Sequence, residues 1–474
     1  MDLLGRVSLP AAWTEQWKAA PTDPVIRDID GTWLDGFDLL DRTARVAARL
    51  HAAGLRAGER VLVSGEASAD LVVAHCGALR LGLVVVPVNS AYSRREIDVL
   101  VESARPRAAI LEREELRAWM PDGVVVTGVD VGLPDGIVPE LDAVTSDDPA
   151  LLPYTSGTTG TPKGALLSHG NLLASAEAVR IAWHWEPTDT LILCLPLFHM
   201  HGLGVGVHGT LLTGAAMILQ RGFDPEAVLA ATAGATMFFG VPTMYARLAD
   251  APGLERLGSL RLCVSGSAPL SAELHERIRA GSGQVVLERY GMTETVMLAS
   301  NPYEGERKPG TVGLPLPGVE IRLDQATSEI LVKGPNVFSG YLDQPEATAE
   351  SFTDDGWFRT GDVGSFDDDG YLSIVGRAKE LIISGGYNVY PREIEDVLRM
   401  HPAVIDAAVV GTPDDEWGEV VTAYVEATDD FEVDALLEFA AEQLAPYKRP
   451  RIVHRVDALP HNRMGKVQRD QLHP

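Results

Sequence analysis

Three observations predict an α/β fold with a separate smaller module at the C-terminal end. Helix-like and strand-like segments alternate over the first 150 residues and again between residues 227 and 270. The candidate strands there are short, continuous apolar runs, which suits parallel strands covered by crossover helices on both faces. After about residue 310 the texture changes to turn-rich strands, and the last hundred or so residues read as a compact α+β unit of ordinary domain size.

Taken in order, residues 38–54 place Leu39, Leu40, Ala44, Val46 and Leu50 at helical spacing and stop at Gly54. Residues 60–64 form a short buried strand, 67–82 a helix, 83–87 a strand and 94–104 a helix. Residues 191–220 carry no Lys, Arg, Asp or Glu, yet they hold Pro196, five glycines and three histidines and lack basic flanks. That composition argues for a strand, a turn and a buried helix inside a large core rather than a membrane span. Strands at 236–239 and 260–264, each with its helix, repeat the α/β pattern. Further on, strands at 320–323, 329–333 and 371–375 precede a joint at 376–380. A helix at 391–400, strands at 404–411 and 420–426 and a helix at 433–444 complete the chain.

Composition excludes several classes. With 40 Lys plus Arg against 67 Asp plus Glu the formal net charge is −27, which speaks against nucleic acid as a partner. A hydrophobic fraction of 46% with 23% charged residues is that of a globular protein. Cys76, Cys194 and Cys263 are far apart and form no CxxC pair, so neither a disulfide framework nor a zinc site is expected, and a reducing cytoplasm fits. The N-terminus lacks the basic and apolar regions of a signal peptide.

The strongest local signal is Tyr154-Thr-Ser-Gly-Thr-Thr-Gly-Thr-Pro-Lys-Gly164. Its glycines allow tight turns that aim N–H groups at an anion, its hydroxyls add donors, and Lys163 adds positive charge. The run suits a polyphosphate, although it lacks the GxxxxGK[ST] spacing of P-loop NTPases. A polar surface linker is the plain alternative.

Five further motifs follow in order: Arg289-Tyr-Gly-Met-Thr-Glu-Thr295, Tyr341-Leu with Thr360-Gly-Asp362, Gly376-Arg377, Gly385-Gly-Tyr-Asn-Val389 and Asn462-Arg-Met-Gly-Lys466. Together with the loop they make the chain resemble the adenylate-forming acyl-CoA synthetases from about residue 30 to the C-terminus. Within that family, Leu195-Pro-Leu-Phe-His-Met-His-Gly202, Gly240-Val-Pro-Thr-Met-Tyr245, Val264-Ser-Gly-Ser-Ala-Pro269 and Leu287-Glu-Arg-Tyr290 are similar to malonyl-CoA synthetases. The resemblance implies a large N-terminal domain of doubly wound sheets plus a distorted β-barrel subdomain, with a small mobile α+β C-terminal domain. It places the divisions at 1–376, a hinge at 377–380, and 381–474.

It also implies the chemistry. A carboxylate is adenylated by ATP with Mg²⁺, and the acyl group then passes to the thiol of coenzyme A. Two anions must meet, so charge neutralisation carries much of the catalysis. The implied ATP contacts are Thr155, Ser156, Gly157, Thr158, Thr159, Gly160, Lys163, Ser267, Tyr290, Thr295, Asp362 and Arg377. Thr293 contacts the α-phosphate, Glu294 is the Mg²⁺ ligand, and Tyr290 offers a flat face to adenine. Lys466 bridges the carboxylate and α-phosphate, Lys379 is the hinge, and Gly385 and Gly386 leave room for the pantetheine arm. Taken singly, Glu294 could cap a helix and Asp362 could belong to a turn. No nucleic-acid partner or membrane span is implied, and no oligomeric state is set.

Arg289 points to the acid. An arginine in an acyl pocket is costly unless it meets an anion, and the second carboxylate of malonate or methylmalonate would supply one. His199, Ser265 and Met292 stand on motifs that line the same pocket in the resembling enzymes. The alternatives are an internal ion pair for Arg289, a short- or medium-chain or aryl acid as substrate, and a nucleotide-binding homologue without catalysis.

Overall fold

A computed structural model of the chain describes residues 7–155, 162–377, 380–384, 387–414, 417–462 and 466–472. Among these residues the largest element is a nine-stranded sheet in the order Leu314–Pro315, Ala299–Ser300, Leu287–Tyr290, Leu262–Ser265, Met237–Gly240, Thr190–Leu193, Ala216–Leu219, Pro24–Arg27, Trp33–Asp35. Its centre is parallel and its last pairings at both ends are antiparallel. A six-stranded sheet, Leu167–Ser168, Pro149–Leu151, Val84–Pro87, Arg60–Ser64, Ala108–Leu111, Val125–Thr127, packs beside it. Helices Gly36–Ala52 and Ala69–Arg80 and the buried turns 201–213 fill the space between and feed one continuous apolar core. The doubly wound α/β reading therefore holds, and the strands 60–64, 320–323 and 329–333 coincide with those expected.

The barrel-like part is an open four-stranded antiparallel sheet, Glu320–Leu323, Glu329–Lys333, Phe358–Phe366, Leu372–Arg377. The C-terminal unit has its own sheet and its own core around Ile394, Leu398, Val409, Ala423 and Leu436. Helix Pro391–Arg399 lies across strand Val404–Asp414, and strand Ile452–Val456 runs parallel to Gly418–Ala427.

Two regions differ from the sequence reading. The uncharged stretch holds a second strand, Ala216–Leu219, beyond the strand, turn and helix expected. A fully buried strand and a buried helix both read as unbroken apolar runs, so periodicity cannot separate them. The start of the expected joint is also a strand, since Gly376 and Arg377 complete Leu372–Arg377. No helix among the described residues is long and apolar enough to cross a membrane.

Candidate active site

The site is built where the C-terminal ends of the nine-stranded sheet meet the four-stranded sheet. Tyr154–Thr155 and Lys163–Gly164 form a two-stranded antiparallel ladder. Ser156, Gly157, Thr158, Thr159 and Gly160 lie outside the described residues. The base of the hairpin is paired to the segment 340–342: Leu166 N–H donates to Gly340 O at 3.0 Å and Leu342 N–H to Gly164 O at 2.9 Å. This pairing puts Lys163 Nζ 5.0 Å from the centroid of the Tyr341 ring. Tyr341 Oη in turn donates to Glu294 Oε1 at 3.0 Å. Lys163 and Glu294 thus face one another across Tyr341.

Glu294 sits on the loop that leaves strand Leu287–Tyr290 and returns as Ala299–Ser300, so it caps no helix. Glycine is required where that loop starts, because a Cβ on Gly291 would lie 2.0 Å from Val296 O. Glu294 is buried, and burial raises its pKa, with hydrogen bonds only partly offsetting the cost. Among the described residues no cation comes within ion-pair distance of it, although Arg377 acts on it from farther off. Among the described residues no cluster of three or more His, Cys, Asp or Glu side chains forms a metal cage. Mg²⁺ needs none, because it keeps several waters and bridges one or two carboxylates to substrate phosphates, so Glu294 fits it.

Asp362 lies within strand Phe358–Phe366, not in a turn, directly opposite Arg377. Its Oδ1 meets Arg377 Nε at 2.9 Å and its Oδ2 accepts the Tyr290 hydroxyl. Each oxygen keeps a lone pair, so two ribose hydroxyls can still donate to it. Lys466 is exposed on a hairpin closed by Lys466 N–H to Asn462 Oδ1 at 3.0 Å and by an antiparallel bridge between His461 and Val467. Surrounding protein, then the Arg377 cation, lower its pKa, while Glu380 and Asp362 pull upward. The lysine is therefore within electrostatic reach of the Asp362–Arg377 pair. Lys379, Gly385 and Gly386 lie outside the described residues.

The acyl side is drier. Arg289 is buried, and its Nε and Nη2 have no hydrogen-bond partner among the described residues. Burial alone draws its pKa down to about 9, so it remains a cation at neutral pH. The Arg289 side chain passes close to Gly266, where a Cβ would come within 2.3 Å of Nε. Neighbouring Glu288 faces away and accepts from Gly310 N–H at 3.0 Å and Leu270 N–H at 3.4 Å, which leaves it no part in an ion pair with Arg289.

His201, which sequence reasoning quoted within a motif but gave no role, begins a wide π-turn, 201–207. Its Nδ1 is 3.4 Å from Ser267 Oγ, and its buried Nε2 has no partner among the described residues. Burial, then Arg289 and His199, hold its pKa far below the usual histidine value, so the three side chains share one electrostatic neighbourhood. Burial likewise lowers His199, to about 4. Ser267 adopts a left-handed φ of 71°, strain of the kind stored at functional sites. Thr293 and Met292 are half-buried on the Glu294 loop. Ser265 and Thr295 are fully buried, and each hydroxyl is without a hydrogen-bond partner among the described residues.

The family model for AMP-binding enzymes matches residues 13–342, and that for the AMP-binding enzyme C-terminal domain matches 393–466. A feruloyl-CoA synthase from Amycolatopsis sp is 38% identical over 93% of this chain and 94% of its own. The mitochondrial malonate–CoA ligase ACSF3 of Mus musculus is 35% identical over 87% and 81%. The crystal structure of ATP-bound MatB from Rhodopseudomonas palustris superposes with a TM-score of 0.91 at 40% identity, covering 97% of each chain. The chain belongs to the AMP-binding enzyme family, as an AMP-forming acid–CoA ligase that works on a carboxylate with ATP, Mg²⁺ and coenzyme A.

Proposed function

We propose that the acid activated is a small dicarboxylate, malonate or methylmalonate, and that the product is its CoA thioester. The carrying observation is the buried, unpartnered guanidinium of Arg289. A second carboxylate gives that cation the bidentate anion it lacks, whereas an aryl or fatty acid would leave it buried and uncompensated. The N–H of neutral His201 adds a donor without adding a competing charge. Identity alone does not choose the acid, since a feruloyl and a malonate enzyme stand at 38% and 35%.

In this reading the hairpin 154–164 grips the β- and γ-phosphates through Lys163, and Mg²⁺, when bound to Glu294, neutralises phosphate charge. Thr293 meets the α-phosphate, Asp362 and Arg377 hold the ribose, and Lys466 bridges the reacting carboxylate and α-phosphate. The carboxylate oxygen attacks the α-phosphorus, the bond to pyrophosphate breaks, and Lys466 offsets the charge that accumulates. Residues 1–376 carry both pockets. The small unit 381–474 turns about the hinge at 377–380, with Lys379 at its centre, so that Gly385 and Gly386 can border the pantetheine arm. A cytoplasmic setting accords with three free, buried cysteines.

The test is pyrophosphate exchange across malonate, methylmalonate, propionate, octanoate and ferulate. Malonate or methylmalonate should lead by at least two orders of magnitude. Lys466→Ala should cut exchange about 10³-fold while sparing transfer from a preformed acyl adenylate to CoA. A wild type that prefers ferulate or octanoate ends the dicarboxylate reading.

A further inference from the structure

One buried side chain ties the Glu294 loop to the rest of the site without touching a substrate. Asn336 is 1% exposed. Its Nδ2 donates to Thr295 O at 2.9 Å and to Met297 O at 2.8 Å. Both neighbours are carbonyls, so the amide must present its NH₂ to them, and Oδ1 is left without a partner among the described residues.

The two carbonyls flank Val296, whose φ is +57°. A β-branched residue in the left-handed region is a backbone outlier, costing on the order of 1–3 kcal/mol, and persists only where its surroundings over-determine it. Asn336 bridges the strained residue from both sides. The following segment adds to the restraint: Phe338 N–H donates to Glu294 O at 2.9 Å, and Tyr341 Oη reaches the Glu294 carboxylate. The segment is itself fixed from behind. Asn171, in the first turn of helix His169–Ala182, donates through Nδ2 to Pro335 O at 2.7 Å and Val337 O at 2.9 Å. That helix follows the Lys163 strand after one short strand, Leu167–Ser168. Two asparagines thus join the phosphate hairpin to the loop that carries Glu294.

We propose that Asn336 is a positioning residue for the adenylation half-reaction: by holding Val296 left-handed it aims Glu294 at the metal–phosphate side of the site, opposite Lys163. This rests on the reading of Glu294 as the Mg²⁺ ligand. An outer residue that orients a metal ligand is worth roughly 10–100-fold in metal affinity or activity.

The variants are Asn336→Ala, Val296→Gly and the two combined, with Glu294→Gln as control. Asn336→Ala should raise the Mg²⁺ concentration for half-maximal pyrophosphate exchange about tenfold and shrink the rise in Tm on adding Mg²⁺-ATP. Transfer from a preformed acyl adenylate to CoA, which uses neither ATP nor Mg²⁺, should change less than about twofold. Glycine adopts positive φ freely, so the double variant should recover part of the Mg²⁺ response. Equal loss of both half-reactions, an unchanged Mg²⁺ response, no recovery in the double variant, or failure of both Asn336 variants to fold would overturn the proposal. A Glu294→Gln enzyme with normal Mg²⁺ dependence would instead overturn the assignment of Glu294 and take the Asn336 role with it.

Discussion

Arg289 and Arg399 are both drawn in from solvent, but their surroundings are opposite. Arg399, on helix Pro391–Arg399 of the small unit, meets Asp406 at 2.8 Å, Asp396 at 3.1 Å and Glu395 at 3.7 Å, and donates to Ala407 O at 2.7 Å. Burial works against its charge, yet those carboxylates raise its pKa overall. Arg469 likewise joins Glu380 at 3.2 Å to Glu395 at 2.7 Å. Arg289, in the large part, has burial acting alone and its pKa falls. In the small unit, then, carboxylates from neighbouring elements compensate the charge that burial penalises. At Arg289 the large part leaves a buried cation without a carboxylate partner among the described residues. In the proposed reading that uncompensated charge is where the acid binds.

Arg289→Met gives the sharpest break of this contrast. Malonate kcat/KM should fall about 10²–10³-fold, mostly in KM, while any monocarboxylate activity holds. The Tm of the ligand-free variant should rise, because an uncompensated buried cation has been removed, and malonate should no longer shift it. A lower Tm with equal loss for every acid would mean that Arg289 is an internal structural ion.

The large part also buries histidines as neutral rings. Burial depresses His75 to about 3 and His169 to about 4, and His75 Nε2 lies 2.9 Å from His208 Nε2. The unfolded chain takes up these protons near pH 6.5 and the folded chain does not. Their stabilisation is complete above about pH 6.5 and is lost as pH falls toward 4, at about 1.4 kcal/mol per pH unit for each ring. The Trp13 ring lies 5.2 Å from that of His208, tilted by 48°. Tryptophan fluorescence during urea unfolding at pH 7.5, 6 and 5 should therefore show a falling midpoint, and a flat midpoint would contradict the neutral assignment.

The smallest effect belongs to the small unit. Arg399→Met should lower stability by roughly 1–2 kcal/mol, discounted because the side chain is 32% exposed, and should leave pyrophosphate exchange within about threefold. A selective collapse of exchange would show that this network does more than hold the unit together.

Much of this was legible in the sequence for physical reasons. The alternation of apolar runs gave the α/β class, and Lys163, Glu294, Asp362, Arg377 and Lys466 stand on ordered motifs that the fold brings together. The helix Leu9–Ala19 and the hairpin Pro24–Arg27 with Trp33–Asp35 went unread, because the hairpin joins the largest sheet through strand Ala216–Leu219, far along the chain, and the helix packs on other helices. Spacing likewise carries no record of which side chain faces which. Nothing in it sets Asn336 against the carbonyls of Thr295 and Met297, or tells that the buried Ser265 Oγ and His201 Nε2 are left without partners among the described residues.

The Arg289 side chain and the bare backbone of Gly266 are packed so closely that the two positions constrain each other. A Cβ at 266 would come within 2.3 Å of Nε and 2.4 Å of Cζ, so no side chain fits there while the arginine keeps its place. Replacing the arginine removes that barrier and frees position 266 to carry a side chain, so any redesign of this part of the molecule has to treat the two positions as one.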